Sequence, residues 1–145
     1  MRNLYRIVRT EPMAFIYCAD IYCNDCGNAI RRRLTDKGKA PADPTDEWSY
    51  DSDDFPKCAG NDNESDTPQH CAAGEDCINA IWIDESVRVG LLFGELTSDG
   101  VAYIEESIDD ANRDDNTWGK TVVGFWYRHY TDRGYTFRKT PNWDC

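Results

Sequence analysis

Tyr22-Cys23-Asn24-Asp25-Cys26-Gly27 sets two cysteines on either side of a two-residue gap, with a glycine next. That spacing lets two thiolates reach one ion from a single turn, and the glycine allows a positive φ just after the second ligand. The complement lies downstream, in His70-Cys71 and Cys77. A tetrahedral zinc site made by Cys23, Cys26, Cys71 and Cys77 is the leading arrangement. In the alternative, His70 joins Cys23, Cys26 and either Cys71 or Cys77. The second half is looser, because the gap between Cys71 and Cys77 exceeds the usual spacing of about two to four residues. A site of four thiolates is closed, and closed zinc sites are structural. Without a metal, the same residues read as reduced, partly buried thiols, with Cys23 and Cys26 as a redox pair.

Little else in the chain offers chemistry. There are two histidines, His70 and His129. No His-x-Glu accompanies a Cys-x₂-Cys as in zinc deaminases, and there is no His-Glu-x₂-His, glycine-rich phosphate loop or Gly-x-Ser-x-Gly. Asp51-Ser52-Asp53-Asp54 and Asp62-Asn63-Glu64-Ser65-Asp66 have the composition of calcium loops but lack their order and their distant Glu. An enzyme is disfavoured; a metal-dependent hydrolase with an open zinc and His70 is the form one would take.

The elements that must position the cysteines follow from pattern. Met13 opens a β-type run, Ala14-Phe15-Ile16-Tyr17-Cys18, leading into the knuckle. Residues 26–36 read as a helix with Ala29, Ile30, Arg33 and Leu34 on one side and Arg31 and Arg32 in water; Asp25 caps it and Gly38 ends it. Residues 37–69 form an acidic, proline-broken insert between the two half-sites, pinned by Trp48, Tyr50 and Phe55. Ile78–Phe93 reads as a β-hairpin turning at Asp84-Glu85-Ser86. A second helix begins near Thr97, Ser98 or Asp99, with Val101, Ile104, Ile108 and Ala111 as its apolar stripe and Glu105, Glu106, Asp109 and Asp110 opposite. A third runs from about Thr121 to Tyr130, with Val122, Val123, Trp126, Tyr127 and Tyr130 facing the second; Phe137 and Trp143 give the tail a means of docking. The expected fold class is α+β: a small zinc-ribbon-like knuckle and β-hairpin with about three helices, in a single domain over residues 1–145.

The 145 residues carry a net charge of −11, unevenly spread. Residues 1–39 hold eight basic and four acidic side chains, residues 40–116 three and twenty-one, and residues 117–145 five and two. The middle segment's field opposes nucleic-acid and anionic-membrane binding and suits a basic protein surface. No run approaches transmembrane length, and the N-terminus has no apolar signal region. Seven cysteines, an odd number, fit a reducing cytoplasm better than a disulfide scaffold.

The stretch from Met13 to Gly27, together with Tyr50–Pro56, Glu64–Cys71 and Leu96–Tyr103, resembles small bacteriophage-encoded, zinc-ribbon-like acidic proteins. The resemblance spans about residues 13–130. It implies that Met13 matches the usual start and that residues 1–12 are an extension. It also groups the four cysteines, sets Cys58 in a variable insert, and points to phage origin in a host cytoplasm. It carries no activity. The leading expectation is a zinc-stabilised protein whose acidic side chains Asp51, Asp53, Asp54, Glu105, Glu106, Asp109 and Asp110 bind and inhibit a basic host protein. Nucleic-acid mimicry against host defences, CRISPR effectors included, is its specific version. The competing expectation is a nucleic-acid-binding zinc ribbon using Arg31, Arg32 and Arg33 with Lys37 and Lys39.

Overall fold

The structure is a computed structural model that describes residues 14–59, 64–114 and 116–143. Met13 and the expected extension over residues 1–12 lie outside the described residues. The class is α+β, with three α-helices and several small sheets among the described residues. The chain gathers into two compact units. Described residues 14–59, 69–81 and 89–94 make the first, and 64–68, 82–88 and 95–143 the second.

In the first unit, β1 (Ala14–Tyr17) and β2 (Asp20–Cys23) form an antiparallel hairpin in which Ala14 faces Cys23 and Tyr17 faces Asp20. The two linking residues, Cys18 and Ala19, both have positive φ, 51° and 65°. Hairpin twist demands this of a two-residue loop, and Asn-Gly usually supplies it. Side chains with a Cβ hold the conformation at a cost, which the bond from Cys18 N–H to Ser52 O, 3.1 Å, helps offset. β3 (Lys57–Ala59) pairs with the other edge of β1, so the end of the insert is sewn into the sheet.

Helix α1 (Asn24–Asp36) starts directly after β2, two residues earlier than its apolar pattern suggests. Cys23 occupies the cap position, and no side chain caps it; Asp25 lies inside the first turn. Gly38, at φ 73°, ends the helix in the left-handed conformation that glycine adopts most readily. Ile30 and Leu34 pack against Phe55. Gly27 departs from expectation. It is helical, and a Cβ there would sit 2.1 Å from the Phe15 ring, so the glycine admits an aromatic side chain to the helix surface.

Arg31 is a larger correction. Its guanidinium, expected in water, donates to Pro56 O at 2.7 Å and Glu47 Oε2 at 2.9 Å and reaches Tyr50 OH at 3.2 Å. It also lies over the Phe15 and Phe55 rings, 4.7 and 5.1 Å from their centroids. Glu47 in turn accepts the Cys58 N–H at 2.9 Å. The insert is therefore stapled to α1 through one arginine, with Tyr50 and Phe55 packed edge to face. Trp48 takes no part and is 97% exposed.

The expected hairpin over Ile78–Phe93 is only partly formed. β6 (Ile81–Trp82) pairs with β7 (Arg88–Val89). Beyond that, β8 (Leu92–Phe93) turns to β5 (Gln69–His70), matching Gln69 to Phe93 and His70 to Leu92. Leu92 and Phe93 bury their side chains there, while Ile78 stays 58% exposed.

In the second unit, β4 (Glu64–Ser65) pairs in parallel with β9 (Glu95–Leu96). Helix α2 (Ser98–Arg113) follows, capped by Thr97, whose Oγ1 accepts the Gly100 N–H at 3.1 Å. Ile104, Ile108 and Ala111 are buried in the stripe that the sequence implies. Helix α3 (Thr117–Asp132), capped by Asn116, packs on α2 with Val122, Val123 and Tyr130 buried and Trp126 and Tyr127 half-buried. The tail docks as expected: Phe137 meets Tyr127, and the Trp143 indole N–H donates to Lys120 O at 3.1 Å.

Glu105, expected on the solvent face, is 7% exposed. Its carboxylate accepts the Arg138 backbone N–H at 2.7 Å and a guanidinium N–H at 3.0 Å. Those Arg138 hydrogen bonds hold its pKa below the ordinary range. A depressed carboxyl pKa stabilises the fold above the unfolded value, and the contribution disappears as pH falls through the folded one. Glu105→Gln is therefore expected to lower the melting temperature at pH 7, with the gap to wild type closing as the solution is acidified below the normal glutamate range. Ile104→Ala, at a fully buried position, is expected to cost about 2–5 kcal/mol in denaturant unfolding. Trp126→Ala, which removes a larger side chain from a partly buried position, is expected to cost a similar amount.

Candidate metal centre

Three local structures bring the four cysteines together. The first is the β2–α1 junction. Cys23 is the last residue of β2 and the cap position of α1, with φ −64° and ψ 166°, and Cys26 lies one turn into the helix. The first N–H groups of a helix lack intrahelical partners and carry the positive end of its dipole. This end of α1 therefore favours thiolates at both positions.

The second is the segment after β5. The Cys71 N–H donates to Leu91 O and the Ala72 N–H to Ile21 O, each at 2.8 Å, which locks Cys71 between β8's approach and β2. Gly74, at φ 60°, then starts a 3₁₀ turn over Gly74–Asp76, closed by Cys77 N–H to Gly74 O at 3.1 Å. This tight turn takes up the extra residues that made the Cys71–Cys77 spacing look loose.

The third is Gly90. A Cβ at this position would lie 2.4 Å from the Cys71 carbonyl oxygen, a backbone atom held on both sides. Only glycine lets the returning chain come this close.

The four sulfurs lie within 4.8 Å of one another, and Cys23 Sγ and Cys77 Sγ are 3.7 Å apart. An ion bonded tetrahedrally to sulfurs at about 2.3 Å sets neighbouring sulfurs about 3.8 Å apart. The cluster is closed to solvent: Cys23, Cys26, Cys71 and Cys77 are 1%, 6%, 2% and 1% exposed. Backbone donors surround it. Ile78 N–H points at Cys26 Sγ and Asn79 N–H at Cys77 Sγ, both at 3.3 Å. Burial pushes the Cys71 thiol up to about 11 against the pull of the Cys23 and Ala73 N–H groups. Burial raises Cys26 as well. At Cys77 burial also acts upward, but the Leu91 and Asn79 N–H groups and the neighbouring thiols outweigh it, and its pKa falls. The donor set is thus arranged for thiolates that only a cation at its centre can make affordable in so dry a place. The four cysteines form a candidate metal site.

His70 stands outside this group. It is half-buried, with Nδ1 2.7 Å from Gly90 O, and burial holds its pKa below the usual imidazole value. It steadies the glycine that backs Cys71. Cys18 and Cys58 are exposed and apart from the cluster, and Cys145 lies outside the described residues. Asn79 had no signal in the sequence beyond standing two residues after Cys77. Its side-chain amide reaches Asp25 Oδ2 at 2.8 Å and Cys23 Sγ at 3.7 Å, linking both half-sites.

Of the expected partner residues, Asp51, Asp53 and Asp54 stand exposed on one turn of the first unit. In the second unit, Glu106 and Asp110 are exposed on α2, with Asp110 paired to Arg113 at 2.6 Å. Asp109 is half-buried and pairs with Lys139 at 3.4 Å. Glu105 is removed from the set by its burial against Arg138. Among the described residues, no helix is long and apolar enough to cross a membrane. No protein family, curated protein or solved structure matches the chain.

Gly90→Ala is expected to displace Cys71 and so to lower both bound metal, measured by elemental analysis, and the melting temperature. Cys58→Ser should alter neither.

Proposed function

We propose that this is a zinc-stabilised binding protein of bacteriophage origin that acts in the host cytoplasm by holding and inhibiting a basic host protein. Four thiolates in a closed tetrahedral set favour zinc among the abundant divalent ions and leave no open position for substrate. The zinc is therefore structural, and its binding free energy is folding free energy.

The observation that carries the binding reading is the loop around Trp48. This indole is 97% exposed on a short 3₁₀ turn, Glu47–Ser49. Exposed Asp43, Asp46, Asp51, Asp53 and Asp54 flank it in sequence, and Arg31 clamps the loop to α1 through Glu47 and Pro56. Tryptophan is enriched at binding hot spots, and a loop ordered before contact loses less entropy on association. The carboxylates add long-range attraction for a basic surface. Phage-like motifs and twenty-one acids over residues 40–116 support a nucleic-acid-mimicking, anti-defence role, in which carboxylates meet a site built for phosphates. The nucleic-acid-binding alternative loses Arg31, whose guanidinium is committed to the insert. The hydrolase alternative loses its open ligand position and His70.

Protein purified under reducing conditions is expected to carry about one zinc per chain, the load of a single four-thiolate site. Cys23→Ser or Cys71→Ser should abolish that load and much of the fold; zinc-free wild type with an unchanged melting temperature would refute the assignment. With a captured partner, Asp53→Lys/Asp54→Lys and Trp48→Ala should each weaken binding and leave melting unchanged, since exposed carboxylates contribute little to folding. Raising salt from about 0.05 to about 0.5 M shortens the Debye length from about 14 to about 4 Å and should slow association. An on-rate indifferent to salt, together with affinity indifferent to these substitutions, rules the loop out.

A further inference from the structure

The second unit contains a pocket of about 310 Å³ lined from both α2 and α3. Three aromatic side chains line it: Tyr103, Trp118 and Trp126. Two of them expose large surfaces, Trp118 at 62% and Tyr103 at 41%. The Tyr103 and Trp126 rings are 6.1 Å apart and inclined at 50°, so they form adjoining sides of a cup and do not stack. Buried Val122 adds apolar lining, and Asp110 and Asp114 supply carboxylates.

These pieces select a ligand class. Aromatic faces carry negative electrostatic potential and attract cations, and nearby carboxylates reinforce the attraction. None of the described lining residues is basic. A hard metal ion is a poor match, because it requires several oxygen ligands in place of its water and the walls are mostly rings. A methylated ammonium suits the site better, since its charge is spread over apolar groups and is weakly hydrated. The cavity volume lies at the small end of the range for ligand sites, room enough for such a head group. Asp110 is paired with Arg113, and Asp114 Oδ1 accepts the Asn116 N–H at 3.2 Å. The Arg113 guanidinium offsets the charge of Asp110, which leaves Asp114 as the lining carboxylate with the stronger pull on a cation.

We infer that this pocket binds an organic cation of the methylated-ammonium class, seated against Tyr103, Trp118 and Trp126 with Asp110 and Asp114 beside it. The inference uses no residue of the Trp48 loop and stands or falls independently of it.

The test is a titration of the zinc-loaded protein with choline and with dimethylbutanol, its uncharged carbon isostere, followed by tryptophan fluorescence and calorimetry. Choline is expected to bind saturably, and the isostere about three- to thirtyfold more weakly, the range that cation–π energies imply. Trp118→Ala, at an exposed position, should weaken choline by a similar factor while leaving the melting temperature in place. Asp114→Asn should weaken choline and leave the isostere unchanged, which keeps the charge argument testable should the tryptophan variant misfold. A peptide carrying trimethyllysine distinguishes the source: tighter binding than choline identifies a protein side chain, and equal binding a free small cation. Absence of saturation by choline, equal affinity for the isostere, or choline affinity unchanged in both variants overturns the proposal.

Discussion

Charge repulsion among four buried sulfurs is the constraint on which the first unit depends. Two thiolates about 4 Å apart repel by about 4 kcal/mol even at an effective dielectric of about 20. Four within 4.8 Å, nearly dry, cannot all be ionised unless a cation sits among them. Yet the backbone is arranged for ionised sulfur, with the N-terminus of α1 and the N–H groups of Ile78 and Asn79 directed at the cluster. The local geometry serves the same end. The strand–helix junction presents Cys23 and Cys26, the turn at Gly74 draws Cys77 back beside Cys71, and Gly90 lets the return chain close over them. The hydrophobic residues here are modest, with Ala14, Ala59 and Phe93 filling around the sulfurs. Under the zinc-stabilised reading proposed above, metal–sulfur bonds supply the cohesion that so thin a core lacks.

A second theme is charge used inside the fold. Arg31 and Glu105 both occupy helix positions that look solvent-facing, and both instead tie down a distant irregular segment. Arg31 grips the insert through backbone and carboxylate acceptors under two aromatic rings. Glu105 grips the tail through the Arg138 guanidinium and its backbone N–H. Because these tethers are polar and directional, they set where a loop lies as well as that it stays. Exposed acids on the turn over residues 51–54, around Trp48 and at Glu106 take no part in these two tethers.

What could be read beforehand divides along the range of the interactions. Cys-x₂-Cys is a short-range motif whose geometry is nearly implied by its spacing, and the stripe of Ile104, Ile108 and Ala111 follows from helical period alone. The wider Cys71–Cys77 gap was harder to interpret because a 3₁₀ turn stores residues without adding reach. Strand pairing was harder still. The β-type pattern over Val87–Phe93 is real, but nothing local says that Leu92 and Phe93 leave the hairpin for Gln69 and His70. Periodicity also sorts residues by type, so it sent Arg31 and Glu105 to water; their partners lie 16 and 33 residues away in sequence. Trp48 failed the opposite way. Its size suggested an anchor for the insert, but the buried Phe55, packed with Tyr50, and the Arg31 contacts do the anchoring instead.

The division of the metal set between a strand–helix junction and a turn far downstream has a consequence for biosynthesis. Cys23 and Cys26 leave the ribosome about 45 residues before Cys71, an interval of about 2–9 s at ordinary elongation rates. During that time the helix-terminal pair is a bidentate, solvent-exposed dithiol attached to an unfinished acidic chain. It is open to oxidants and to any passing soft metal before its second pair exists. On the proposed zinc reading, yield in a cell would thus depend on reducing power and zinc supply during translation as much as on the stability of the finished protein.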